Sequence, residues 1–217
     1  MSAAGARGRG IPFVAAAPSG TGKTTVCRGA LERDSNLRFS VSHTTRIPRS
    51  GEVDGTDYHF VSSETFRRMV DESEFVEHAE YAGNLYGTSR AALLEPLEQG
   101  FDLMIEIEVQ GARQLRDQLS EARFLFLLPP SFEELERRLR MRGTDDDEAI
   151  EHRLALVDRE LAAVHFFDYA IVNDDLDTAI EAVLAVVRAE RAGDTEDVRS
   201  RFGREEVLSR NPGLVDR

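Results

Sequence analysis

A chain of 217 residues, 41% hydrophobic and 31% charged, is long enough to bury a sizeable core and has the composition of a soluble globular protein. Its 27 Lys and Arg against 40 Asp and Glu give a net charge of −13, which excludes a broad nucleic-acid surface but not a local basic cluster around a nucleotide. With one cysteine, Cys27, no disulfide can form within the chain, so a reducing, cytoplasmic setting is expected.

Residues 1–10 carry two arginines and no apolar stretch, the pattern of a flexible N-terminus rather than a secretory signal. No apolar run approaches the roughly 20 residues that span a bilayer. Ile11–Ala16 reads as a buried strand and Thr24–Arg33 as the helix after it. Residues 38–88 differ in texture. Short alternating segments, such as Asp57–Val61 and Glu77–Tyr81, flank Gly-containing turns, which predicts a small β-rich insertion. One helix is expected within it near 63–72, begun by Ser62 or Ser63. Further strands are predicted at Phe101–Ile107, Arg123–Leu128 and Tyr169–Val172, with helices near 109–119, 131–142, 147–164 and 175–192. Pro129 and Pro130 close a strand, and Ser131 with Glu134 forms a capping box for the next helix. Strands alternating with helices predict a parallel sheet flanked by helices, an α/β fold. Beyond Gly193 the chain is polar and charged, and a helical or disordered tail without chemistry is expected.

Between the first strand and the first helix lies Ala17-Pro18-Ser19-Gly20-Thr21-Gly22-Lys23-Thr24-Thr25. It follows the phosphate-loop pattern G-x-x-x-x-G-K-[ST], with alanine at the first glycine. Gly20 and Gly22 let the backbone curl so that successive N–H groups face phosphate oxygens. The helix N-terminus adds its amides and partial positive charge. Lys23 can reach the β- and γ-phosphates of a nucleoside triphosphate, and the Thr24 hydroxyl can ligate Mg²⁺. The strand FDLMIEIEVQG ends in Glu106 and Glu108, which alternate with Ile105 and Ile107, so both carboxylates are expected on one face, placed to hold Mg²⁺ or its waters.

Residues 40–60 read SVSHTTRIPRSGEVDGTDYHF, followed by EFVEHAEY at 74–81 and GNLYGTS at 83–89. With RFLFLLPPS at 123–131, RGT at 142–144 and IVNDD at 171–175, these stretches closely resemble guanylate kinases over about residues 11–190. The resemblance implies a P-loop core (11–37, 89–132 and 165–190), a GMP-binding subdomain (38–88) and a helical lid (about 133–164), leaving 191–217 as a tail. It implies ATP and GMP as substrates, dGMP being left open, with either a monomer or a homo-oligomer compatible. It gives Arg46, Arg49, Tyr58 and Tyr86 to the GMP phosphate, whose two charges suit bidentate guanidinium donors. Glu77 matches the glutamate that accepts from guanine N1–H and the exocyclic amine, while Ser42 and Thr88 match donors to O6. Glu108 falls on the GMP side and Glu106 on the metal side. Many relatives have aspartate at these two places. Arg138, Arg142 and Arg153 match phosphate-facing lid arginines, which with Lys23 and Arg46 make up the expected catalytic set, and Arg142 also belongs to the expected ATP contacts. Asn173 matches a position near the adenine.

A non-catalytic guanylate-kinase-like module that binds phosphopeptides is the competing reading. Such modules typically have degraded phosphate loops, whereas Gly22, Lys23 and Thr24 are intact here. A kinase for a phosphorylated sugar is a third reading, and the set Ser42, Glu77 and Thr88 speaks against it.

Overall fold

The computed structural model describes residues 8–81, 83–141 and 147–214, and for 147–153 the backbone alone. The chain forms two compact units. One takes in Asn36–Ala122 with the described residues up to Pro12; the other takes in Phe13–Ser35 and the chain from Arg123 onward.

Five consecutive buried residues make β1 (Pro12–Ala16), as expected of a strand covered on both faces. The loop leads into α1 (Lys23–Arg33), which buries Val26, Cys27 and Ala30. The chain then enters the first unit through β2 (Leu37–Phe39), β3 (His43–Thr44) and β4 (His59–Phe60). Next comes α2 (Ser63–Asp71), whose cap is Ser62, accepting from the Thr65 N–H. It buries Phe66 and Met69 against Phe75 of the following strand. β5 (Phe75–Tyr81) and β6 (Asn84–Ser89) form an antiparallel pair, with Glu77 opposite Thr88. With β3 and β4 they complete a four-stranded sheet in the order β4-β3-β6-β5.

The sequence periodicity gave no sign of α3 (Arg90–Glu98), because Pro96 lies inside it. Proline removes one helix hydrogen bond, but this one falls in the last turn, and the Ser89 cap at the other end accepts from the Ala92 N–H. β7 (Asp102–Glu106) pairs in parallel with β2 and leads into α4 (Val109–Gln118).

In the second unit β8 (Arg123–Leu128) lies parallel to β1, and β9 (Tyr169–Val172) parallel to β8. Around these strands run α5 (Phe132–Met141), α6 (Asp147–Ala162) and α7 (Leu176–Ala192). Ser131 caps α5 by accepting from the Glu134 N–H at 3.1 Å. The capping box is only half made, because the Glu134 carboxylate is taken by Arg137 and Arg138. Phe124, Phe126, Phe167 and Tyr169 are buried in this unit, where Gly29 of α1 makes room for Ile180 of α7.

The segment after Gly193 takes the helical option: α8 (Glu196–Phe202) and α9 (Arg204–Arg210). Val198 and Val207 are buried, Gly203 bridges Tyr169, and the Arg204 guanidinium donates to the carbonyls of His165 and Phe167. Glu190, near the end of α7, is also buried. It accepts from the Tyr169 hydroxyl and from Arg123 Nε. No described helix is long and apolar enough to cross a membrane.

Candidate active site

The phosphate loop belongs to the second unit. Ala17 is buried, and Ser73 is the one non-glycine with positive φ among the described residues. The first loop position therefore needs no left-handed backbone, and a Cβ is accommodated there. Gly20 and Gly22 do need it, at φ 91° and 95°, where an L side chain costs roughly 1–2 kcal/mol. A Cβ on Gly20 would stand 2.8 Å from Leu139 Cδ2, so α5 packs directly against the loop. Gly22 is the N-cap of α1, and its carbonyl accepts from the Val26 N–H at 3.1 Å. The partial positive charge of the helix N-terminus favours an anion at this end of the loop. Lys23 opens the helix half-buried, with Thr24 and Thr25 exposed behind it. A carboxylate oxygen of Glu160 on α6 accepts from the Ser19 N–H at 3.3 Å.

Arg138 reaches the loop from α5. Its Nε donates to Glu134 at 2.8 Å, and its Nη1 donates to the carbonyls of Asn173 and Thr21 at 3.0 and 3.4 Å. Hydrogen bonds from Arg137 and then Arg138 pull the Glu134 carboxyl down to about 2. Asn173, at the end of β9, is buried, and its side-chain amide donates to the Thr21 carbonyl at 2.7 Å. Arg142 lies outside the described residues, as does the side chain of Arg153.

The first unit brings together the base-reading candidates. Thr88 donates to Glu77 Oε1 at 2.6 Å, and Ser42 Oγ lies 3.3 Å from Thr88 Oγ1. All three residues are buried. The strand register sets this up, since Glu77 and Thr88 are direct cross-strand partners. Burial pushes the Glu77 carboxyl above its ordinary range, against two hydrogen bonds from Thr88 that favour the charge. Gly111 of α4 faces the same carboxylate, and a Cβ there would stand 2.6 Å from Glu77 Oε2.

Two residues along β6 from Thr88, about 7 Å by strand geometry, is Tyr86 on the same face. Its ring lies 6.0 Å from that of Tyr58. The Arg46 guanidinium sits 5.5 Å from the Tyr58 ring centre and 5.8 Å from that of Phe60. Its Nη2 donates to Glu52 at 2.8 Å. The other oxygen of Glu52 accepts from the Arg49 N–H at 2.6 Å, so one carboxylate ties the two arginines together. Burial pushes the Glu52 carboxyl up, but the hydrogen bonds from Arg46 and the Arg49 amide outweigh it and the net shift is downward. Arg49 itself is exposed.

Sequence reasoning did not single out Glu52 or Gly111. Gly111 did leave a signal: glycine inside a helix costs about 1 kcal/mol against alanine and calls for a packing reason. Glu52 left none, because its partners are set by a turn, closed by the Glu52 N–H donating to the Arg49 carbonyl, whose conformation no pattern announces.

One expectation changes. β7 ends at Glu106, and Glu108 is the N-cap of α4, so the alternation of a strand does not extend to Glu108. Both glutamates are half-buried. Among the described residues no group of three or more His, Cys, Asp and Glu could hold a metal ion.

A phosphate loop running from a buried parallel strand into a helix, in a chain that also carries a buried carboxylate–hydroxyl set and clustered arginine and tyrosines, defines a P-loop nucleoside-phosphate kinase. The family model described as guanylate kinase matches residues 9–190. A guanylate kinase of Nitratidesulfovibrio vulgaris is 53% identical over 81% of this chain and 85% of its own length. One of Thiobacillus denitrificans is 47% identical over 84% and 87%. The crystal structure of guanylate kinase from Anaplasma phagocytophilum superposes with a TM-score of 0.73 at 33% identity, covering 97% of this chain and 99% of that one. The chain belongs to the guanylate kinase family.

Proposed function

We propose that this chain transfers the terminal phosphoryl group of ATP to GMP, releasing ADP and GDP in the cytoplasm. A GMP phosphate oxygen attacks the γ-phosphorus. The bond from that phosphorus to the β–γ bridging oxygen breaks, and its electron pair leaves on ADP. The GMP phosphate is already anionic, so no general base is needed. Lys23, Arg46 and the lid arginines Arg138, Arg142 and Arg153 stabilise charge on the transferring oxygens. Loop residues 17–25 hold the donor phosphates.

The observation that carries the acceptor is the buried set Glu77, Thr88 and Ser42. Guanine offers two adjacent donors to Glu77 and one acceptor to the hydroxyls. Adenine would set an acceptor against the same carboxylate and leave a buried charge unpaired. Arg46, Arg49, Tyr58 and Tyr86 take the GMP phosphate, Glu108 supports the GMP side, and residues 38–88 form the acceptor-binding part.

The donor set suits Mg²⁺. Thr24 offers a hard hydroxyl oxygen on the exposed first turn of α1, and phosphate oxygens complete such a site. When bound with ATP, the ion neutralises charge on the β- and γ-oxygens. Glu106 is the carboxylate we assign to its waters.

Coupled ADP release from ATP and GMP, with and without a chelator, tests the reading. Turnover that needs both nucleotides and stops on chelation is expected. ATP binding without GDP formation would refute it.

A further inference from the structure

The carbonyl oxygen of Thr21 accepts from two side chains, Asn173 Nδ2 at 2.7 Å and Arg138 Nη1 at 3.4 Å. The same Arg138 Nη1 donates to the Asn173 carbonyl at 3.0 Å. Asn173 is itself fixed: it is 5% exposed, and its N–H donates to the Leu128 carbonyl at 2.8 Å. Its amide also packs on the loop, since a Cβ on Gly22 would stand 2.7 Å from Nδ2. In a trans peptide the C=O and the following N–H point in opposite directions. Holding the Thr21 carbonyl on one side therefore aims the Gly22 N–H at the other. In a phosphate loop the N–H groups must face the anion.

We infer that Asn173 is a positioning residue for the donor phosphates, locking the Thr21–Gly22 peptide plane so that the Gly22 N–H faces them. This role differs from the adenine contact that resemblance alone assigns to it, and it rests on the ATP reading above. Arg138 shares the lock, so one carbonyl joins α5, the phosphate loop and the end of β9. Asparagine suits the task because it carries a neutral donor on a short, buried stem. Aspartate there would set oxygen against oxygen.

The test is calorimetric titration of the full chain with ATP, inorganic tripolyphosphate and GMP. Asn173→Ala should weaken ATP and tripolyphosphate by the same factor, about tenfold for a lost buried hydrogen bond. The near-isosteric Asn173→Asp should weaken both further, and GMP binding should not change in either variant. Weaker ATP with unchanged tripolyphosphate would make Asn173 an adenine contact and overturn the lock. Loss of GMP affinity by the same factor would mark general damage and also overturn it. A wild-type chain that binds neither ATP nor tripolyphosphate overturns the ATP reading and the lock with it. A second measurement needs no variant. In the wild-type chain adenosine should leave the Asn173 side-chain amide resonances unshifted while tripolyphosphate shifts the Gly22 amide; an adenosine-dependent shift of Asn173 would contradict the lock.

Discussion

In the proposed reading the two units meet phosphate in opposite ways. In the second unit the surface assigned to the donor is backbone: Gly20 and Gly22 in left-handed conformations and the N-terminus of α1, with side chains such as Leu139, Asn173 and Arg138 packed against the loop. In the first unit the surface assigned to the acceptor is side chain: Arg46, Tyr58 and Tyr86, with Glu77 and Thr88 on paired strands and Ser42 just before β3. A backbone site recognises any polyphosphate of the right length. A side-chain site can tell one base from another. The donor half should therefore be sensitive to added atoms, and the acceptor half to altered functional groups.

The largest effect is expected at Glu77. Glu77→Gln should lower kcat/KM for GMP by about 10³-fold, the scale of discrimination set by unpaired buried polar groups, while ATP affinity stays as it was. Equal damage to both nucleotides would break the division between the units. Gly22→Ala is its mirror image. The left-handed backbone and the Cβ contact with Asn173 should weaken ATP about 10- to 100-fold, with GMP affinity retained in the same calorimetric series. Gly111→Ala sharpens the comparison from the other side. Its Cβ would press on the Glu77 carboxylate, raising KM for GMP about tenfold. Alanine is also the better helix former by about 1 kcal/mol, so thermal unfolding should show no matching loss.

The pH effects are smaller. Burial raises the Glu77 carboxyl, and the proposed guanine contact requires it ionised. KM for GMP should rise on acidification from a pH above the ordinary glutamate value of about 4.3, while ATP affinity stays level across that window. The stability of the unliganded chain has the opposite sign at this residue. Its folded-state value is the higher one, so its contribution is present at low pH and is lost as pH rises through that value. His43 offsets this. Burial first, and then His59, lowers it from 6.5 to about 4. Its contribution is present above pH 6.5 and lost as pH falls toward 4. His43→Gln should flatten that part of a plot of Tm against pH; an unchanged slope would show that His43 does not titrate there.

The two halves also differed in how far they could be read from sequence. The phosphate loop is local, and nine consecutive residues with a strand before and a helix after declare its chemistry. The acceptor site is not local. Ser42, Glu77 and Thr88 lie on different segments, and only the pairing of β5, β6 and β3 joins them. Without the family resemblance Glu77 would have been one strand glutamate among several. Contacts made after folding stayed hidden: Glu52 between two arginines, Gly111 beneath Glu77 and Asn173 behind Thr21. The core strands were plain because their apolar runs are continuous, whereas Pro96 disguised α3. The tail looked inert by composition, yet buried Val198 and Val207, the bridge of Gly203 to Tyr169 and the hydrogen bonds of Arg204 seat it beside β9.

The central claim is that a buried glutamate–hydroxyl set makes this phosphate-loop kinase act on guanine. Coupled ADP release, measured with ATP and Mg²⁺ against GMP, AMP, CMP and UMP in turn, tests it most directly. Turnover with GMP, exceeding each of the others by at least about 10²-fold, is the predicted result. Comparable turnover with AMP, or activity on another monophosphate in place of GMP, would contradict it.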